Sequence, residues 1–140
     1  MNVHVKHIKD MAFASLGETQ NWVVMDTVEE FGGSGSGPKP MEMILMGLGG
    51  CTGMDVISIL RKMQVKLDGF EIDVHAEQAE QHPKVYTKIH LTYRFYGKDI
   101  DTDKIEKAID LSQDKYCSVS AMLGKTAEIH HTVEIHPKQA

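Results

Sequence analysis

Residues 41–64 constrain the fold of this chain more than any other stretch. Met43, Ile44, Leu45, Met46, Leu48, Met54, Val56, Ile57, Ile59, Leu60 and Met63 follow a helical pattern but leave almost no polar side. An all-round apolar helix is expected to be buried on every face. Yet Gly47, Gly49, Gly50 and Gly53 interrupt it, each costing about 1 kcal/mol relative to alanine in a helix interior, roughly 4 kcal/mol together. Two arrangements would offset that cost: close approach of another backbone, most simply a second copy of the same helix, or a break at Gly49-Gly50 that leaves Cys51 near a fresh helix start. Pro40 suits the first turn, and Glu42 the positive end of the helix dipole. The most apolar part, between Glu42 and Asp55, falls short of the roughly 20 residues a bilayer requires, so no membrane span is expected.

Around this helix the pattern alternates with period two. Val3, Val5 and His7 alternate with His4, Lys6 and Ile8. Phe13 and then Asn21 to Met25 continue the strand pattern, with a turn at Gly17-Glu18. The glycine- and serine-rich residues 32–40 have linker composition. Only about 31 residues precede them, few for an independent core, so they read as a loop inside one domain spanning 1–140. Past Asp68-Gly69, Phe70, Ile72, Val74 and Ala76 alternate with polar neighbours, and a turn near Gln81-His82-Pro83 leads into a strand over 85–96. Asp101-Thr102-Asp103 starts a second helix, expected to run through Cys117 to about Leu123 and stop at Gly124. A last strand covers 126–135. The resulting order is βββ-α-ββ-α-β, an α+β fold.

Composition excludes several classes of function. With 140 residues, 41% hydrophobic and 25% charged, the chain is an ordinary soluble domain. A net charge of −5 and the absence of any long basic cluster argue against nucleic-acid binding. The first residues lack an apolar secretion signal, so a cytoplasmic location is expected. There, a cysteine pair is more often catalytic, redox-active or metal-binding than a permanent staple.

Cys51 and Cys117 are the two cysteines, 66 positions apart. Either could be a small buried hydrophobe. As a pair they suit redox chemistry, because a nearby resolving thiol rescues an oxidised one, but their separation in sequence leaves their distance in space open. The eight histidines show no metal-ligand spacing, and the glycine-rich loop lacks the Gly-Lys-Ser/Thr ending of a phosphate-binding loop. Neither a metal nor a cofactor is expected.

Gly32-Gly33, Gly37-Pro38, Pro40-x-Glu42, Leu48-Gly49-Gly50-Cys51 and Cys117-Ser118-Val119-Ser120 together resemble the OsmC/Ohr family of osmotically inducible and organic hydroperoxide resistance proteins. The resemblance covers almost the whole chain. It implies an intertwined α+β homodimer, with antiparallel sheets around two long central helices and active sites at the subunit interface. Cys51 matches the family's peroxidatic cysteine and Cys117 its resolving cysteine. Glu42 matches the glutamate that positions an activating arginine. The implied activity is reduction of organic hydroperoxides in oxidative stress defence, with an intramolecular disulfide recycled by a dithiol. The chain departs from the pattern in two places. It has no arginine before Arg61, leaving Lys6, Lys9 and Lys39 as N-terminal cations, and Ser118 stands where a proline commonly follows the second cysteine. Two further uses of the residues stay open: a small-molecule binder with an apolar interface pocket, and another thiol-transfer activity.

Overall fold

A computed structural model of the chain describes residues 1–137, so the last three positions of the expected 1–140 domain lie outside the described residues. The fold divides into two compact units, 1–45 and 46 onward, with the boundary inside the long helix.

In the first unit, β1 (His4–Lys9), β2 (Ala12–Leu16) and β3 (Trp22–Met25) form an antiparallel sheet in that order. The turn expected at Gly17-Glu18 closes with the Gln20 amide donating to Gly17 O. The loop of linker-like composition is a built structure. Asp26, 2% exposed, sits at its centre. The Asp26 carboxylate accepts from the amides of Thr27 (2.8 Å), Ser34 (3.0 Å) and Ser36 (3.0 Å) and from the Ser34 hydroxyl (2.8 Å). A β-carbon at Gly33 would overlap the Thr27 carbonyl, so the chain can pass there only as glycine. One short polar side chain thus replaces the core that a run of glycine, serine, proline and lysine cannot supply.

The long helix, α1, spans Pro40–Lys62 without a break. Its start is half of a capping box: the Glu42 carboxylate accepts from the Lys39 amide at 2.8 Å. The expected break does not occur. Cys51 lies in mid-helix, away from any helix start, because the 13-atom hydrogen-bonded rings continue through Gly49-Gly50. Within one chain α1 buries a single stripe at i, i+4, namely Leu48, Thr52, Val56 and Leu60. Met46 and Met54 on the other side are 57% and 73% exposed. The glycines divide between these faces. A β-carbon at Gly53 would press on Ile72 Cδ1 at 3.2 Å, whereas Gly47 and Gly50 look into open space. By length and composition α1 would also suit a bilayer, but its stripe packs on protein, with Thr52 hydrogen-bonded in the core.

In the second unit, β4 (Gly69–Gln78) and β5 (Tyr86–Tyr96) form an antiparallel pair, and β6 (Glu128–His136) joins the other edge of β5. The β5–β6 pairing is parallel, a correction to the expected all-antiparallel sheets. The physical reason is the connection: the chain leaves β5, crosses through helices and re-enters at the same end, and such a crossover delivers a parallel strand. Along β5, Ile89, Leu91, Tyr93 and Phe95 are all but fully buried on one face. On the opposite face Arg94 pairs with Asp73 of β4 and Glu134 of β6.

The second helix also departs from expectation. It is α2 (Thr102–Leu111), a π turn over Ser112–Tyr116, and α3 (Ser118–Leu123), with Cys117 extended between the last two (φ −71°, ψ 98°). Asp101 caps α2, its carboxylate accepting from the Lys104 amide.

The buried Asp26 carboxylate yields a pH prediction. Its amide and hydroxyl donors, the Ser36 amide first, hold its pKa far below the usual carboxylate range. A depressed folded pKa contributes stability that is present above the unfolded value of roughly 3.9 and is lost as pH falls below it. Thermal melts should therefore show Asp26→Asn less stable than wild type at neutral pH, with the gap narrowing below about pH 4. A gap independent of pH would refute this role.

Candidate functional site

The site is built where α1 meets the π turn. Cys51 and Asp55, one helical turn apart, lie beside the buried stripe of α1. Cys117 reaches them from the other side. The π turn sends it there: the Cys117 amide donates to Ser112 O at 2.8 Å, closing a five-residue ring that throws Cys117 out of helical geometry. As a result, Cys51 Sγ, Cys117 Sγ and an Asp55 carboxylate oxygen all lie within 4.8 Å of one another. Both cysteines are free thiols.

The two thiols differ in environment. Cys51 is half-buried, whereas Cys117 is only 2% exposed. Burial raises the pKa of the Cys117 thiol. The Ser120 hydroxyl and amide beside it act in the opposite sense, and the neighbouring Cys51 pushes it up again. The Ser120 amide donates to Cys117 Sγ at 3.4 Å, so the sulfur also caps α3. Ser120 Oγ is buried beside the Cys117 sulfur.

Behind the thiols runs a chain of buried hydroxyls. Gln113 Nε2 donates to Tyr93 OH at 2.8 Å; Tyr93 OH and Thr52 Oγ1 are 2.8 Å apart; Thr52 Oγ1 and Ser112 Oγ are 2.9 Å apart; Ser112 Oγ donates to Asp55 Oδ2 at 3.2 Å. Each hydroxyl has a single proton, and a carboxylate oxygen only accepts. With Ser112 giving its proton to Asp55, Thr52 must donate to Ser112 and Tyr93 to Thr52. The chain therefore has one direction, ending at the carboxylate beside Cys51. Burial, with smaller contributions from Cys117 and Asp55, raises the pKa of the Tyr93 phenol and keeps its proton in place.

Of the residues expected from the sequence, Cys51 and Cys117 come together. Glu42 stands nine positions before Cys51 in the sequence of the same helix, and its carboxylate takes the Lys39 amide. Arg94, one of the two arginines, is held by Asp73 and Glu134 on the sheet face opposite Tyr93. Sequence reasoning missed Asp55, Thr52, Tyr93, Ser112, Gln113 and Ser120. A usable signal existed for two of them: Asp55 at i+4 from Cys51, and Thr52 as the hydroxyl in the stripe of Leu48, Val56 and Leu60.

Comparison with known proteins gives concordant results. The profile of the family described as OsmC-like protein matches residues 33–132. Protein YhfA of Escherichia coli strain K12 is 36% identical over 136 residues, covering 96% of this chain and 98% of its own. A hypothetical protein from Aquifex aeolicus VF5 has a crystal structure similar to this fold, with TM-score 0.80, 29% identity and 96% of both chains covered. An organic hydroperoxide resistance protein OsmC from Legionella pneumophila shares the fold at TM-score 0.71 and 10% identity, with 95% of each chain covered.

Thr52→Val keeps the shape of the side chain but breaks the hydroxyl chain in the middle. It should cost about 1–3 kcal/mol, the penalty for buried groups left without a partner, read as a lower midpoint in urea. A midpoint equal to that of wild type would refute the coupling.

Proposed function

The chain belongs to the OsmC-like protein family, and from that premise we propose that it reduces organic hydroperoxides with electrons from a dithiol, as part of oxidative stress defence. The observation that carries this reading is the approach of Cys51 and Cys117. The Cys51 thiolate attacks one oxygen of the O–O bond. The bond breaks, the departing alkoxide takes a proton and leaves as an alcohol, and Cys51 becomes a sulfenic acid. Cys117 then attacks the sulfenic sulfur, water leaves, and a disulfide forms, which the dithiol reduces by exchange. A disulfide needs its sulfurs about 2 Å apart, so the pair must close by side-chain rotation after the first step. The burial that raises the Cys117 pKa suits a resolver that keeps its proton until then. The name of the Legionella pneumophila relative supports the same chemistry. The reducing cytoplasm is the compartment that suits two free thiols.

The working unit in this reading is a homodimer. The open face of α1, with Met46, Gly47, Gly50 and Met54, supports it, as do the exposed apolar residues Val3, Val5, Ile8, Trp22 and Val24 of the first sheet and its flanks. Small residues on an open helix face admit a second backbone closely. Glu42 enters as a positioning residue, on the family resemblance. Sedimentation should give a dimeric wild type and a shift toward monomer in Gly50→Leu; a monomeric wild type would remove the dimer from the reading.

Turnover of cumene hydroperoxide with a dithiol, in the presence of a chelator, tests the activity. Cys51→Ser should fall to the uncatalysed background. Cys117→Ser should release about one alcohol per chain and stall as a sulfenic acid that dimedone traps. Glu42→Gln, which keeps the cap acceptor, should lower kcat/KM with the fold intact. Wild-type turnover retained in Cys51→Ser would sink the proposal.

A further inference from the structure

We propose that Cys51, Cys117 and Asp55 form a zinc site, with water as the fourth ligand. The site uses the same two thiols as the hydroperoxide reading but does not need that reaction to occur. Two thiol sulfurs and a carboxylate oxygen already lie within 4.8 Å of one another. Tetrahedral zinc with Zn–S near 2.3 Å holds two sulfurs roughly 3.8 Å apart, so a small closure completes the cage. Thiolate donors select zinc over magnesium or calcium, and a set of three protein ligands leaves one position for solvent. Half-buried Cys51 gives that solvent an entry.

The groups around the ligands match what a metal requires. Ligating carboxylates are oriented by hydrogen bonds from outside the first layer, and Ser112 Oγ donates to Asp55 Oδ2, backed by Thr52 and Tyr93. Ser120 N donates to Cys117 Sγ. A further contact points the same way. Ser120, 5% exposed, holds its buried hydroxyl beside the Cys117 sulfur. A metal-bound thiolate would give that hydroxyl an anionic acceptor, the stronger kind of hydrogen-bond partner. Histidine spacing could not reveal such a site, since none of its ligands is a histidine. Zinc and the disulfide use the same sulfur electron pairs, so the metal would hold the pair reduced and closed to hydroperoxide.

The test uses the reduced full-length protein without hydroperoxide, titrated with zinc against a chromophoric chelator, with cobalt as a spectroscopic substitute. Expected are one zinc per chain, sulfur-to-cobalt charge-transfer bands, and protection of both cysteines from iodoacetamide in the zinc-loaded wild type. Asp55→Asn should bind at least about 10-fold more weakly, and Cys117→Ser should lose more than that. The protection experiment needs no variant, so a misfolded mutant does not blunt the test. Failure to retain zinc, cobalt spectra without sulfur bands, or equal affinity in Asp55→Asn would each overturn the site. So would zinc that persists in Cys51→Ser/Cys117→Ser, which would place it on surface histidines. Turnover is measured with chelator present and zinc binding without peroxide, so each reading can fail alone.

Discussion

The interaction on which the second unit depends is the burial of Thr52. Its hydroxyl sits in a stripe otherwise made of Leu48, Val56 and Leu60, and its two hydroxyl partners come from β5 and the π turn. Apolar packing alone would let α1 rotate or slide by a fraction of a turn, because dispersion and burial are non-directional. Hydrogen bonds among buried hydroxyls allow no such slack, since leaving one unmade costs the desolvation of that group. The chain from Tyr93 to Asp55 therefore fixes the rotation of α1 and the depth of the π turn together, and the thiols on the two elements meet as a consequence.

The π turn does the complementary work. A regular helix from Thr102 to Leu123 would carry Cys117 at helical spacing after Ser112, with its amide committed to the fourth residue back. The wider ring lets Ser112 bond both inward to Thr52 and across to Asp55, and releases Cys117 into extended geometry, where its sulfur caps the next helix. Its proximity to Cys51 is thus a product of backbone irregularity in a segment whose composition gives no warning of it.

Parts of the fold were legible in the residues. Period-two alternation at Phe70, Ile72, Val74 and Ala76 located β4 because one face is covered and the other wet. Pro40 and Asp101 marked helix starts because caps are local chemistry. The π turn, the parallel β5–β6 pairing and the organisation of the loop on Asp26 were not legible. Each depends on a partner distant in sequence: Ser112 on Asp55, β6 on β5, and Asp26 on Ser34 and Ser36. Of the site, the two cysteines were visible by type and Asp55 by its i+4 spacing from Cys51, while Ser112 and Ser120 were ordinary polar residues until the fold gathered them.

By itself the sequence determined the element order, the long glycine-containing helix and the family, since these follow from local periodicity and a run of short motifs. Tertiary structure alone decided which face of α1 is buried, where the hydroxyl chain runs and that Cys51, Cys117 and Asp55 share one place. Local pattern sets which elements form, but a site across 66 positions exists only when long-range packing and directional hydrogen bonds fix two elements in register.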